Sequence, residues 1–162
     1  MRFIRLPAAA LAAGLAGPAL AACPIELATY ADGDSVAAVE FTPVVESAAV
    51  TNRFRMLVGE GLVYDGIVMW TEAPERPFAQ LTHQCPDGDV TGAEIEACTV
   101  WEGPVYSLDK GTLGLMPVEG KPAPEQLLFA GLGHDVVRHA SYRAAGLDAV
   151  PWDLFSMSGC QE

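Results

Sequence analysis

Residues 80–108 read Q-L-T-H-Q-C-P-D-G-D-V-T-G-A-E-I-E-A-C-T-V-W-E-G-P-V-Y-S-L. Two strand-like arms, 78–84 and 97–108, meet at Cys85 and Cys98, and a polar, glycine-containing loop separates the two cysteines. The stretch reads as a long β-hairpin closed by a disulfide. It describes how a small domain holds itself together, and the rest of the chain is read around it.

The chain has 162 residues and four cysteines, Cys23, Cys85, Cys98 and Cys160. Residues 1–21 place Arg2 and Arg5 ahead of an apolar run that ends in the small-residue site Ala19, Leu20, Ala21, the pattern of a secretory signal peptide. Residues 22–162 then form a single exported β-rich domain. Four cysteines in an oxidising compartment most simply make two bridges. Of the three pairings, Cys85 with Cys98 and Cys23 with Cys160 is favoured: the first closes the hairpin and the second ties the chain ends. The expected localisation is periplasmic or secreted.

Leu20, Ala21, Ala22, Cys23 also resembles a bacterial lipobox, so a lipoprotein anchored through Cys23 is the alternative. Lipidation would leave one thiol unpaired, and residues 24–29 enter strand-like sequence with no polar tether. No later apolar run approaches the roughly 20 residues that span a bilayer, so no transmembrane segment is expected.

Nine lysines and arginines stand against 21 acids, for a net charge of −12; without Arg2 and Arg5, seven bases remain and the balance is −14. Such a surface repels phosphate backbones and anionic head groups, which argues against nucleic acid and membrane-surface binding. An unknown envelope protein or a small ligand remains as the partner.

Residues 25–30 and 36–42 suit strands joined by the Asp32-Gly33-Asp34 turn. Residues 53–58 alternate, with Phe54, Met56 and Val58 on one side and Arg53 and Arg55 on the other. After Gly59-Glu60-Gly61, residues 62–71 put Leu62, Tyr64, Val68 and Trp70 on one face. The two prolines of 72–77 mark a surface loop. Residues 111–118 form a short strand. Pro124 and Glu125 open a short helix through Phe129, residues 134–145 form a second, and 152–157 make a last strand that delivers Cys160 to the N-terminal end. The fold expected is mainly β, α+β by its C-terminal helices: an antiparallel β-sandwich or open barrel, disulfide-stapled, with one or two short helices packed on it.

The nearest approach to a metal site is Asp87, Asp89 and Thr91, whose spacing with Gly92 at the sixth place follows a calcium loop. The twelfth place is Cys98, which supplies no oxygen, so Glu94 would have to compensate from another geometry. His134, Asp135 and His139 with a serine such as Ser141 or Ser156 suggest a hydrolytic set, although no G-x-S-x-G elbow places the nucleophile. His83 reads as a strand residue beside the disulfide. Phosphate loops, H-E-x-x-H and C-x-x-C are all missing. Tyr64, Trp70 and Trp101 are read as core or as an aromatic binding platform on one sheet face, and the scattered methionines as core gap-fillers.

The leading reading is a small acidic exported cell-envelope domain with a binding or structural role and no cofactor. The alternatives are an envelope hydrolase using His134 or His139 with Asp135, and a weak calcium module at Asp87 and Asp89.

Overall fold

Strand Val50–Val58 sets the rule for the whole molecule. Asn52, Phe54, Met56 and Val58 are buried while Arg53 and Arg55 are exposed, the period of two expected of a strand with one wet face. Most of the eight further strands repeat it, and the computed structural model describes them within residues 22–45, 47 and 49–161. The leader expected over 1–21 lies outside those residues.

In chain order the strands are β1 Ala28–Asp32, β2 Ala37–Thr42, β3 Val50–Val58, β4 Leu62–Glu72, β5 Glu75–Thr82, β6 Thr99–Asp109, β7 Thr112–Leu115, β8 Gln126–Phe129 and β9 Leu154–Cys160. The helices are α1 Gly92–Cys98, α2 Leu132–Val136 and α3 Ala140–Ala144. Every pairing is antiparallel, and the ladder runs β1-β2-β3-β4-β5-β6-β8-β9 and back to β1. This is a closed eight-stranded barrel. The ninth strand, β7, lies outside it, along the half of β6 that β5 no longer covers.

The architecture is mainly β, but the sandwich or open barrel expected from the sequence is not what forms. Closure depends on β8, which bridges β6 and β9, and on β1 pairing with β9. The sequence predicts a helix over 124–129. Its Pro-Glu start obeys local preference, yet Leu127 and Phe129 alternate into the core while Gln126 and Leu128 face outward, so tertiary burial overrides the local signal.

Three smaller corrections share this origin. The turn at 73–74 is tight, and Pro77 sits inside β5, where no β6 residue pairs with it and no backbone donor is required. Ala97 and Cys98 end α1 rather than opening β6. The helix expected over 134–145 is two short helices, because His139 leaves helical geometry (ψ 147°) to cap the second.

Both ends of the barrel are closed. At the upper end, which carries the β1–β2 and β3–β4 turns, α2 and α3 lie across the opening and bury Leu132, Val136 and Tyr142. At the lower end a 3-10 turn at Ile25–Leu27 and the segment 116–124 cross it, held by Ile25 N–H on Lys121 O (2.9 Å), Asn52 Nδ2 on Pro117 O (3.2 Å) and Tyr30 O–H on Pro124 O (3.0 Å). Ile25 and Met116 are fully enclosed there.

The interior between these lids is filled with rings. Tyr30, Phe41 and Phe54 stack along β1, β2 and β3 at centroid separations of 5.9 and 5.4 Å. Phe54 then meets Phe129 of β8 at 5.6 Å, and Phe129 meets both Phe155 and Trp101. Strands β3 and β8 stand on opposite walls, so their side chains touch across the axis. An eight-stranded barrel is just wide enough to be filled in this way. Two glycines make the room: a Cβ on Gly66 would enter the Phe54 ring, and one on Gly103 would stand 2.7 Å from Trp101.

Cys85–Cys98 staples the upper end and Cys23–Cys160 the lower. Two disulfides fit a chain matured outside the reducing cytoplasm. The Cys23 sulfur is bonded to Cys160, an arrangement that competes with the thioether the lipoprotein alternative needs at the same atom. Among the described residues no helix is long and apolar enough to cross a membrane.

Candidate functional site

With the interior full, the open concave features lie on the outer surface. The segment 150–153, Val-Pro-Trp-Asp, runs from the helical lid into β9, and it breaks the usual sorting of side chains: Pro151 is buried while Val150 and Trp152 are 54 and 59 % exposed. A large ring left this open is normally mobile. Here both of its N–H groups are held from 118 to 120 residues away: the Trp152 backbone N–H donates to Asp32 Oδ2 (3.1 Å) and the indole Nε1–H to Asp34 Oδ2 (2.6 Å).

The Asp32-Gly33-Asp34 turn therefore has two jobs. Asp32, only 4 % exposed, folds the β1–β2 connection by accepting from Val36 N–H (2.7 Å) and Ala37 N–H (3.2 Å) on Oδ1, and its other oxygen pins residue 152. Asp153 does the same for the other side of the segment, accepting from Gly131 and Gly133 N–H at 2.8 Å each. Gly133 lies so close to the Pro151 carbonyl that any Cβ there would collide with it. The result is a groove of about 700 Å³ floored by Leu128, Val150, Pro151 and Leu154 with the Trp152 ring, and with Asp34, Asp153 and His134 as its polar lining. An ordered ring with no donor left to satisfy offers apolar area at little entropic cost, the property of an interface anchor.

The residues considered for hydrolysis separate into two pairs. His134 Nδ1 bonds Asp135 Oδ1 at 2.8 Å on the exposed face of α2. His139 instead caps α3: Ser141 N–H donates to its Nδ1 (3.3 Å), so that nitrogen carries no proton. Ser141 Oγ–H consequently donates to the same atom (2.7 Å), leaving its own lone pairs for Tyr64 O–H (2.9 Å). The chain Tyr64–Ser141–His139 thus ties the barrel wall to the lid. His83 packs edge-on to the Tyr64 ring, with centroids 5.4 Å apart. Burial, with His83 and Arg143 close by, lowers the His139 pKa, and burial raises that of Tyr64. Ser156 lies on β9, bonded to Gln126.

Thr91 and Glu94 are engaged with each other: Thr91 N–H and Oγ1–H donate to Glu94 Oε2 at 2.8 Å each, and Glu94 N–H donates to Thr91 Oγ1. This capping box at α1 lowers the Glu94 pKa through the two bonds from Thr91. Asp87 and Asp89 remain exposed, and among the described residues no three His, Cys, Asp or Glu side chains converge as a metal site. Of the three aromatics weighed as a platform, Tyr64 and Trp101 point into the core, Trp101 donating to Ala130 O (3.2 Å), and Trp70 is half-buried with its Nε1 unpaired among the described residues. They do not share an open face.

The groove around Trp152 was missed at the level of sequence. The available signal was a tryptophan after proline, outside the alternating strand pattern, together with a D-G-D turn that carries two carboxylates. Compared with known protein families, curated proteins and solved structures, the chain matches none.

Proposed function

We propose that this chain is a small acidic domain of the bacterial cell envelope, periplasmic or secreted, that binds a partner through the groove around Trp152. The observation that carries the reading is the fixed, exposed indole: two aspartates from a distant turn hold a ring that contributes nothing to the core. The filled interior supports it, since a ligand would have to displace packed aromatic rings to enter the barrel. The disulfides suit an oxidising compartment, and the net charge of −12 suits a surface-binding protein in crowded extracytoplasmic fluid. The test is differential capture from an envelope extract on immobilised wild type and on Trp152→Ala, matched for melting temperature. A species retained by the wild type and lost by the variant supports the reading; identical retention on both sinks it.

A hydrolase is the second reading, and the 2.7 Å contact between Ser141 Oγ and His139 Nδ1 favours it. The same nitrogen is also the acceptor that caps α3, which already accounts for the geometry. Ester hydrolysis by the wild type that disappears in Ser141→Ala would establish it.

A further inference from the structure

We infer that the Trp152 groove takes a basic protein partner, a segment that seats an apolar side chain between Val150 and Leu154 and lays an adjacent lysine or arginine across the indole against Asp34. The inference rests on the binding reading above and adds the chemistry of the occupant. The groove's floor is apolar, its lining includes two carboxylates, Asp34 and Asp153, and no lysine or arginine lines it. Asp135, hydrogen-bonded to the lining residue His134, adds a further carboxylate beside it.

The two carboxylates are not equivalent. Asp153 has one N–H on each oxygen and is spent on structure. Asp34 is exposed, gives Oδ2 to the indole, and has no hydrogen bond on Oδ1 among the described residues. A cation above the Trp152 ring is therefore drawn by two features at once, the negative face of the π-system and the free oxygen of Asp34. An anionic segment meets the opposite, against a chain whose bases number 9 to its 21 acids. Charge complementarity selects a basic segment over an acidic one, and the apolar floor selects one with a hydrophobic anchor over a plain polycation.

Three short peptides of one apolar composition, carrying lysine, serine or glutamate at the remaining positions, test this by calorimetric titration into the full chain. The lysine peptide is expected to bind, at least tenfold more tightly than the serine peptide, with no heat from the glutamate peptide. Trp152→Ala should weaken the lysine peptide about tenfold or more. Asp34→Asn keeps an acceptor for the indole and removes only the charge, so it should weaken the lysine peptide severalfold and flatten the salt dependence. Equal binding of the lysine and serine peptides, lost in Trp152→Ala, overturns the charge inference and leaves the binding reading standing. Binding of the lysine peptide that neither variant changes is diffuse attraction to an acidic surface and overturns both.

Discussion

Phe54 of β3 and Gly66 of β4 stand directly opposite each other, and the Phe54 ring fills the space that a side chain at residue 66 would need. The aromatic column of the barrel is thus built on the absence of a methyl group. Gly66→Ala should lower stability by about 1–3 kcal/mol, the cost of overpacking a close-packed interior. Gly61→Ala, in a turn with nothing within 4 Å of the added atom, is the control and should change little. Urea denaturation of the two variants checks the contrast.

The Tyr64–Ser141–His139 chain makes the lid sensitive to acid. His139 titrates below its ordinary value of 6.5 in the folded protein, so in that window the unfolded chain binds more protons and stability rises with pH. The stabilisation is complete above the unfolded value and is lost as pH falls through the folded one, where a protonated Nδ1 faces two donors. His139→Asn retains an oxygen acceptor at the cap without a titrating ring. Its melting temperature should fall less between pH 7 and pH 5 than that of the wild type, as scanning calorimetry would record.

Asp32 accepts three backbone N–H groups from two separate segments. Asp32→Ala leaves all three donors unpaired in a site that is nearly closed to water, at a cost of about 3 kcal/mol. The loss should also free residue 152, so the Trp152 share of the emission, taken as the difference from the same background carrying Trp152→Phe, should be quenched more readily by acrylamide and show a broader lifetime distribution. An unchanged lifetime distribution would mean that Asp34 alone fixes the ring.

The two disulfides differ in what they constrain. Cys23–Cys160 spans 137 residues of sequence and Cys85–Cys98 spans 13. Loop-closure entropy assigns about 5 kcal/mol to the first and about 3 kcal/mol to the second. Replacing each pair by serine should therefore lower the denaturation midpoint more for the pair at 23 and 160, and an inverted order would place the difference in residual structure of the unfolded chain.

Strand alternation was legible wherever a strand has one wet face: Phe54, Met56 and Val58 announce β3, and Tyr64 and Val68 announce β4. Closure was not legible. It depends on four residues, Gln126–Phe129, whose local signals favour a helix, and on β1 meeting β9 across more than 120 residues. The site was harder still. Nothing near Trp152 in the sequence names its restraints, because Asp32 and Asp34 belong to a turn at the far end of the chain and only the closed barrel brings them together.

The Cys23–Cys160 bond also has a mechanical meaning. Cys23 and Cys160 stand beside the two ends of the described residues, so a force pulling on both would cross one sulfur–sulfur link and leave the hydrogen-bonded wall between them unloaded. Because β9 runs the height of the wall from Leu154 to Cys160, the bond and the Trp152 groove occupy opposite poles of the barrel, and a load carried at one leaves the other undisturbed.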